Sequence, residues 1–257
     1  VKILLTGATD GIGLATARML VADGHKVLLH GRNNEKLASV AKELGEENTE
    51  QYVADLSELA QVEKLAQEVA EKHDRLDVLL NNAGVYNSSN VVTGDGLDIR
   101  FAVNTVAPYL LMKSLLPLMD ESSRVINLSS AAQAPVDVKA LSGLARLSDG
   151  EAYAQSKLAL TMWTFELAQY VAPVLVAVNP KSLLASKMVK SAFGVQGQDI
   201  NLGAEILCRA ALADTFRNAS GKYFDNDIGE FTEPHPDARD DEKRSTLVQQ
   251  LDAIIGK

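Results

Sequence analysis

A doubly wound α/β fold, a mostly parallel sheet with helices on both faces, is the architecture predicted for this 257-residue chain. Two observations predict it. Short β-branched or Leu-rich runs alternate with longer amphipathic stretches, the pattern of strands joined by crossover helices. No linker, repeat or low-complexity tract interrupts that alternation, so a single domain is expected over residues 1–257.

Each element follows in order. Strands are expected at Lys2–Leu5, Lys26–His30, Gln51–Ala54, Asp77–Asn81, Arg124–Leu128 and Val174–Asn179. Helical periodicity runs through Gly11–Asp23, Glu35–Leu44, Leu59–Lys72, Leu97–Met119 and Glu151–Val171. Ser57 is placed to cap the third helix, whose apolar stripe is Leu59, Val62, Leu65, Ala66 and Val69. A surface helix is expected from Asp241 to Ile255. Three stretches break the alternation: Ala131–Gly150, Leu183–Asn201 and Asp225–Asp240. Ligands of open α/β sheets bind beyond the carboxyl ends of strands, so all three are candidate substrate loops. Asp225–Asp240 reads equally as an ordinary surface loop.

Composition narrows the function. The net charge is -9, which excludes the basic surface that duplex binding requires, so no nucleic-acid partner is expected. One cysteine, Cys208, rules out an intrachain disulfide. No run of eighteen or more apolar residues is present, which argues against a membrane span. The first residues run directly into Ile3-Leu4-Leu5-Thr6-Gly7 without a secretory leader, and a cytoplasmic location is the expectation. The histidines at 25, 30, 73 and 235 lack metal-ligand spacing, so no metal is expected; they read as surface or loop residues.

The strongest local signal is Thr6-Gly7-Ala8-Thr9-Asp10-Gly11-Ile12-Gly13, between the first strand and the first helix. Gly7 permits a tight turn, Gly11 lets backbone approach a pyrophosphate, and Gly13 allows close helix–strand packing. The helix N-terminus then offers free N–H groups to phosphate. The second strand leads into His30-Gly31-Arg32-Asn33, without the carboxylate that reads a 2′-hydroxyl. The Arg32 guanidinium suits a 2′-phosphate, which favours NADP over NAD; the alternative is a solvated loop charge. Tyr153 and Lys157 lie four residues apart on one helical face. A free phenol titrates near ~10, and a nearby ammonium favours phenolate.

Together these motifs resemble the short-chain dehydrogenase/reductase family, with its Rossmann-like fold. The glycines fit its T-G-x-x-x-G-I-G variant, Asn81-Asn82-Ala83-Gly84 its N-N-A-G, Asn127-Leu128-Ser129-Ser130 its N-x-S-S, and Tyr153 to Lys157 its Y-x-x-x-K. The resemblance implies a nicotinamide cofactor held by Gly7, Thr9, Asp10, Gly11, Ile12 and Gly13, with Asp55 at the adenine and Leu56 behind it. Asn82, Ala83, Gly84, Pro180, Ser182, Leu183 and Ser186 would line the same site. Tyr153 would act as acid/base, Ser130 would hold the substrate oxygen, Lys157 would hold the ribose, and Asn104 would hold a water linked to the lysine. Asn104 reads also as a helix kink.

The implied function is hydride transfer between NADP and a carbonyl or alcohol. The alternative is a silent NADP-binding sensor, against which the intact Ser130, Tyr153 and Lys157 argue. About ten extra residues before Tyr153, and Asp95-Gly96-Leu97-Asp98 before the asparagine helix, resemble the retinol dehydrogenase and WW-domain oxidoreductase branch, suggestive of apolar substrates. Pro180-Lys181 stands where the family has P-G. The lysine is tolerated at a negative backbone angle or else narrows the cofactor entrance. Leu183, Leu184, Met188, Val189, Phe193 and Val195 form either an apolar lid or the packing of a local helix. Leu158 to Val171 has little polar relief, and in the family this helix and that of Asn104 commonly pair between subunits. A homodimer or homotetramer is therefore expected.

Overall fold

Period-two alternation divides the apolar residues of each strand between two cores, as side chains of a pleated strand point to opposite faces. Leu4, Leu28, Tyr52, Leu79, Val125 and Leu175 meet on one face of the sheet. Ile3, Leu5, Val27, Leu29, Val78, Leu80, Ile126 and Val176 meet on the other. The computed structural model describes residues 1–256, the side chain of Phe193 apart. Its strands are β1 (Lys2–Leu5), β2 (Lys26–Gly31), β3 (Thr49–Val53), β4 (Val78–Asn81), β5 (Arg124–Leu128), β6 (Val174–Asn179), β7 (Lys222–Asp225) and β8 (Glu230–Thr232). They lie in the order β3-β2-β1-β4-β5-β6-β7-β8. All neighbours are parallel except the closing β7–β8 pair. The chain reverses direction across the sheet between β1 and β4, and that switch point is where such sheets open a ligand crevice.

The helices are α1 (Gly11–Ala22), α2 (Asn34–Leu44), α3 (Leu59–Lys72), α4 (Ile99–Phe101), α5 (Ala107–Leu115), α6 (Val138–Leu141), α7 (Asp149–Leu167), α8 (Lys187–Phe193), α9 (Asn201–Leu212) and α10 (Asp241–Ile255). α3, α4, α5, α7 and α10 cover the first face; α1, α2 and α9 cover the second. A π turn at Ala102–Val106 joins α4 to α5.

Several expected boundaries move for identifiable reasons. α3 has Glu58 at its N-cap without a side-chain cap bond. Ser57 does not cap it: its hydroxyl donates to Asp55 Oδ1 at 2.7 Å. The carboxylate of Asp95, distant in sequence, accepts the Leu59 N–H at 2.9 Å instead. α7 begins at Asp149, before the expected start, because Ser148 and Glu151 form a reciprocal capping box. Strands β7 and β8 were not expected, and Asp225–Asp240 is not a plain loop. It holds β8, a 3₁₀ turn at Pro236–Arg239, and Phe231, which stacks on Phe216 and Phe224.

Two apolar helices lie in the core. The continuous helix Ile99–Leu118 has a mean hydropathy of 1.2 and is long enough to cross a membrane, but 72% of it is buried inside the protein. It is a core helix. Leu158, Leu160, Met162 and Trp163 of α7 are also buried, and α10 lies over them with Leu247, Leu251 and Ile254. Arg244 of α10 pairs with Glu166, and the Tyr109 hydroxyl of α5 donates to Asp252 of α10 at 2.8 Å. The chain's own last helix therefore packs on the apolar face of α7. Leu251 is fully buried in that contact. Leu251→Ala is expected to cost about 2–5 kcal/mol of stability, measured by urea unfolding.

Candidate active site

The carboxyl ends of the parallel strands open into one cavity of about 700 Å³. Residues following each of β1 to β6 line it. Every sequence-predicted cofactor residue does so: Gly7, Thr9, Asp10, Gly11, Ile12, Gly13, Arg32, Asp55, Leu56, Asn82, Ala83, Gly84, Pro180, Ser182, Leu183 and Ser186. Ser130, Tyr153 and Lys157 complete the wall. Asn104 does not reach it.

At the first turn, space decides the residue types. Gly7 has φ +66° and Gly11 φ +54°, both left-handed. A Cβ on Gly13 would lie 2.0 Å from the Gly7 oxygen, so no other residue fits. Asn82 stitches the turn to β4, donating from Nδ2 to the Thr6 and Gly7 carbonyls at 2.9 and 3.2 Å. Asp10 caps α1 by accepting the Gly11 N–H and pairs with Lys187 of α8 across the cavity mouth.

His30, read from sequence as a surface or loop residue, is buried here. Its Nδ1 accepts the Gly7 N–H at 3.2 Å, so Nε2 carries the proton and donates to the Ala54 carbonyl at 3.0 Å. One imidazole thus ties the ends of β1, β2 and β3. Burial pushes its pKa down to about 4. His73 is buried too, against Tyr52 and Glu50. Arg32 is exposed at the cavity rim, and no ion pair among the described residues engages it. Asp55 spends Oδ1 on Ser57.

At the other end, the two serines after β5 divide. Ser129 is buried, its hydroxyl 2.7 Å from that of Thr161. Ser130 faces the cavity and hydrogen-bonds Tyr153. Tyr153 stacks on Tyr86, ring centroids 5.0 Å apart, and Lys157 Nζ lies 5.7 Å from the Tyr153 centroid. Lys157 donates to the Leu128 carbonyl at 2.7 Å. Burial governs both groups. It raises the Tyr153 phenol above its ordinary value, outweighing the Ser130 bond, and lowers Lys157 to about 8. The expected depression of the phenol by the ammonium is not what this geometry gives.

Asn104 sits in the π turn, buried. Its Oδ1 accepts the Val85 N–H, and Nδ2 donates to the Val85 carbonyl and to Ser156 Oγ. The side chain is a clamp between the loop after β4 and α7, with both amide hydrogens used and one Oδ1 lone pair taken by Val85. Tyr86 was missed in sequence; its one signal is an aromatic residue directly after Asn81 to Val85, at a strand end.

The loop after β6 holds the backbone outlier. Lys181 has φ +130° and Leu183 φ +53°, so the lysine adopts the conformation that glycine would. Asp227, in the β7–β8 turn, accepts the Ser182 N–H and Asn179 Nδ2, both at 2.9 Å. Asn226 donates to the Pro180 carbonyl at 2.9 Å. Asp225–Asp240 contributes no lining residue; it braces the loop that does. Of the expected lid, Leu183, Leu184, Met188 and Val189 line the cavity; Val195 does not, and the Phe193 side chain lies outside the described residues. Ser186 spends its oxygen capping α8.

A family model for short chain dehydrogenases matches residues 2–193. This chain belongs to the short-chain dehydrogenase family. It is 31% identical to human retinol dehydrogenase 13 over 280 aligned residues, covering 99% of this chain and 84% of that protein. It is 32% identical to mouse retinol dehydrogenase 12, covering 86% of this chain and 76% of that one. Among solved structures, an uncharacterized protein of Mycobacterium Paratuberculosis superposes with a TM-score of 0.83 at 25% identity, covering 100% and 93% of the two chains. A short chain dehydrogenase of Shigella flexneri, complexed with NADP, gives 0.69 at 28% identity over 88% and 96%. The chain is thus an oxidoreductase of the family, near its retinol dehydrogenase branch.

Two outcomes test the site's construction. His30 is neutral when folded, so below its unfolded value near ~6.5 the unfolded chain binds the extra proton. The contribution is complete above that value and is lost as pH falls towards 4. Urea unfolding at pH 5 and pH 7 should show about 2 kcal/mol more loss in wild type than in His30→Gln. Lys181→Gly should raise the urea midpoint by about 1 kcal/mol of stability, strain relieved less the entropy that glycine adds to the unfolded chain.

Proposed function

We propose that this chain is an NADP-dependent carbonyl reductase or alcohol dehydrogenase acting on an apolar substrate. The observation that carries it is a single cavity with Arg32 at one end and the Ser130–Tyr153–Lys157 group at the other. The residues fit a dinucleotide. Gly7, Gly11 and Gly13 line the cavity at the N-terminus of α1, the kind of helix end that receives a pyrophosphate, and a Cβ on Gly13 has no room. Arg32 is free to meet a 2′-phosphate, and Lys187 offsets the carboxylate of Asp10 at that helix end. The NADP complex of the Shigella flexneri neighbour supports the cofactor, and the retinol dehydrogenase relatives support an apolar alcohol or aldehyde. Leu183, Leu184, Met188 and Val189 give the lid the matching character.

NADPH, when bound, supplies the hydride. Ser130 holds the carbonyl oxygen in place and stabilises the charge that develops on it. Tyr153, kept protonated by burial, gives its phenolic proton to that oxygen. The Lys157 ammonium, buried beside the ring, stabilises the phenolate left behind. Because burial lowers Lys157 to about 8, its charge is lost above that pH. Reduction of a panel of aldehydes and ketones should therefore decline as pH rises through about 8. Tyr153→Phe should lose about 10²–10⁴-fold in kcat without weakening NADPH binding followed by fluorescence. Arg32→Ala should weaken NADPH and leave NADH unchanged. NADPH binding with no turnover of any carbonyl would favour a sensor, and equal affinity for the two nucleotides would remove the NADP assignment.

A further inference from the structure

A charge network outside the cavity links α4 to α7, the helix of Tyr153 and Lys157. Arg100 of α4 is 0% exposed. Its Nε lies 2.8 Å from Asp98 Oδ1, at a geometry too bent for a hydrogen bond, and Nη2 donates to Asp98 Oδ2 at 2.9 Å. Nη1 donates to Asp149 Oδ1 at 2.8 Å. Burying a guanidinium among apolar side chains is costly, and a well-packed apolar residue commonly serves stability as well. Asp98 alone would neutralise the charge. The bond to Asp149, half exposed and 49 residues away in sequence, calls for a different explanation.

Helical spacing supplies one. Arg100 precedes Asn104 by one turn, and Asp149 precedes Tyr153 by one turn on α7. A second rung joins the same helices beyond the tyrosine. Asn104 Nδ2 donates to Ser156 Oγ at 3.0 Å, and Thr105 Oγ1 to the Ser156 carbonyl at 2.8 Å. Tyr153 lies between the two rungs. Gly150, beside Asp149, lines the cavity, and the Tyr86 hydroxyl lies 3.3 Å from where a Gly150 Cβ would be. The first rung is the charged tie between the opening turn of α7 and α4, beside the capping box and the packing of buried Ala152.

We propose that Arg100 is a positioning residue: through Asp149 it sets the height and rotation of the first turn of α7, and so the place of the Tyr153 phenol against Ser130. This deepens the reading of Tyr153 as the acid/base and rests on it.

The test removes the rung and spares the buried pair. Asp149→Ala leaves Arg100 bonded to Asp98, and Glu151→Gln removes a charge from the same helical turn while keeping an acceptor for the capping box and leaving Arg100 untouched. Each is compared with wild type for carbonyl reduction, for NADPH affinity, and for Tyr153 ionisation by ultraviolet difference titration with Tyr153→Phe as the blank. Asp149→Ala should lower kcat about tenfold with NADPH affinity unchanged, the cost of a misplaced acid. It should shift the Tyr153 titration, and Asp149→Glu should restore part of both. Glu151→Gln should do neither. Equal effects of Asp149→Ala and Glu151→Gln, or an Asp149→Ala protein with unmoved kcat and titration, would overturn the proposal. The titration needs no turnover, so a wild type inactive on every carbonyl would refute the functional reading and still leave the positioning measurable.

Discussion

The Gly7 carbonyl and the Cα of Gly13 approach so closely that a methyl group between them would lie 2.0 Å from the oxygen. Everything at the cofactor end depends on that contact. It brings the N-terminus of α1 down onto the end of β1, so that the first N–H groups of the helix face the crevice. It also brings the turn within reach of Asn82 and of His30, which hold it from β4 and β2. The crevice exists because the sheet reverses between β1 and β4; the glycine turn makes its floor flat enough for a dinucleotide.

At the chemical end, burial sets the protonation states. It favours neutral forms, and so holds the Tyr153 phenol protonated while making the Lys157 ammonium easier to deprotonate. The two shifts run in opposite directions, the phenol rising and the ammonium falling to about 8, and neither group is the cause of the other's shift. The Asn104 clamp and the Arg100 network stand behind them and tie α7 to the helix beneath. The strain in the loop after β6 is held in the same way. Asp227 and Asn226, in the one antiparallel hairpin of the sheet, keep Pro180 to Ser182 in a shape that lysine disfavours.

What was readable in the chain follows the range of the interactions. The glycine turn, Ser130, and the Tyr153–Lys157 pair depend on spacings of a few residues, and all lie on the cavity as expected. His30 was misread because its partners Gly7 and Ala54 are each more than twenty residues away. Ser57 was misread because a nearer acceptor, Asp55, took its hydroxyl. β7, Lys222–Asp225, has a charged residue at each end and β8 has only three residues, so neither forms an apolar run that marks a strand. The packing of α10 on α7 was not readable because nothing in the residues of α7 says that the last helix returns to it.

The sequence by itself determined the alternation of strands and helices, the glycine turn, and the identity of the groups able to move a proton or hold a phosphate. These are matters of local sterics and side-chain chemistry, complete within one turn or strand. Only the tertiary structure decided which of those groups face the cavity, which are spent on backbone or neighbours, and what burial does to their ionisation. Those outcomes depend on solvent exclusion and on contacts between residues far apart in the chain, and neither exists until the sheet and its helices close around them.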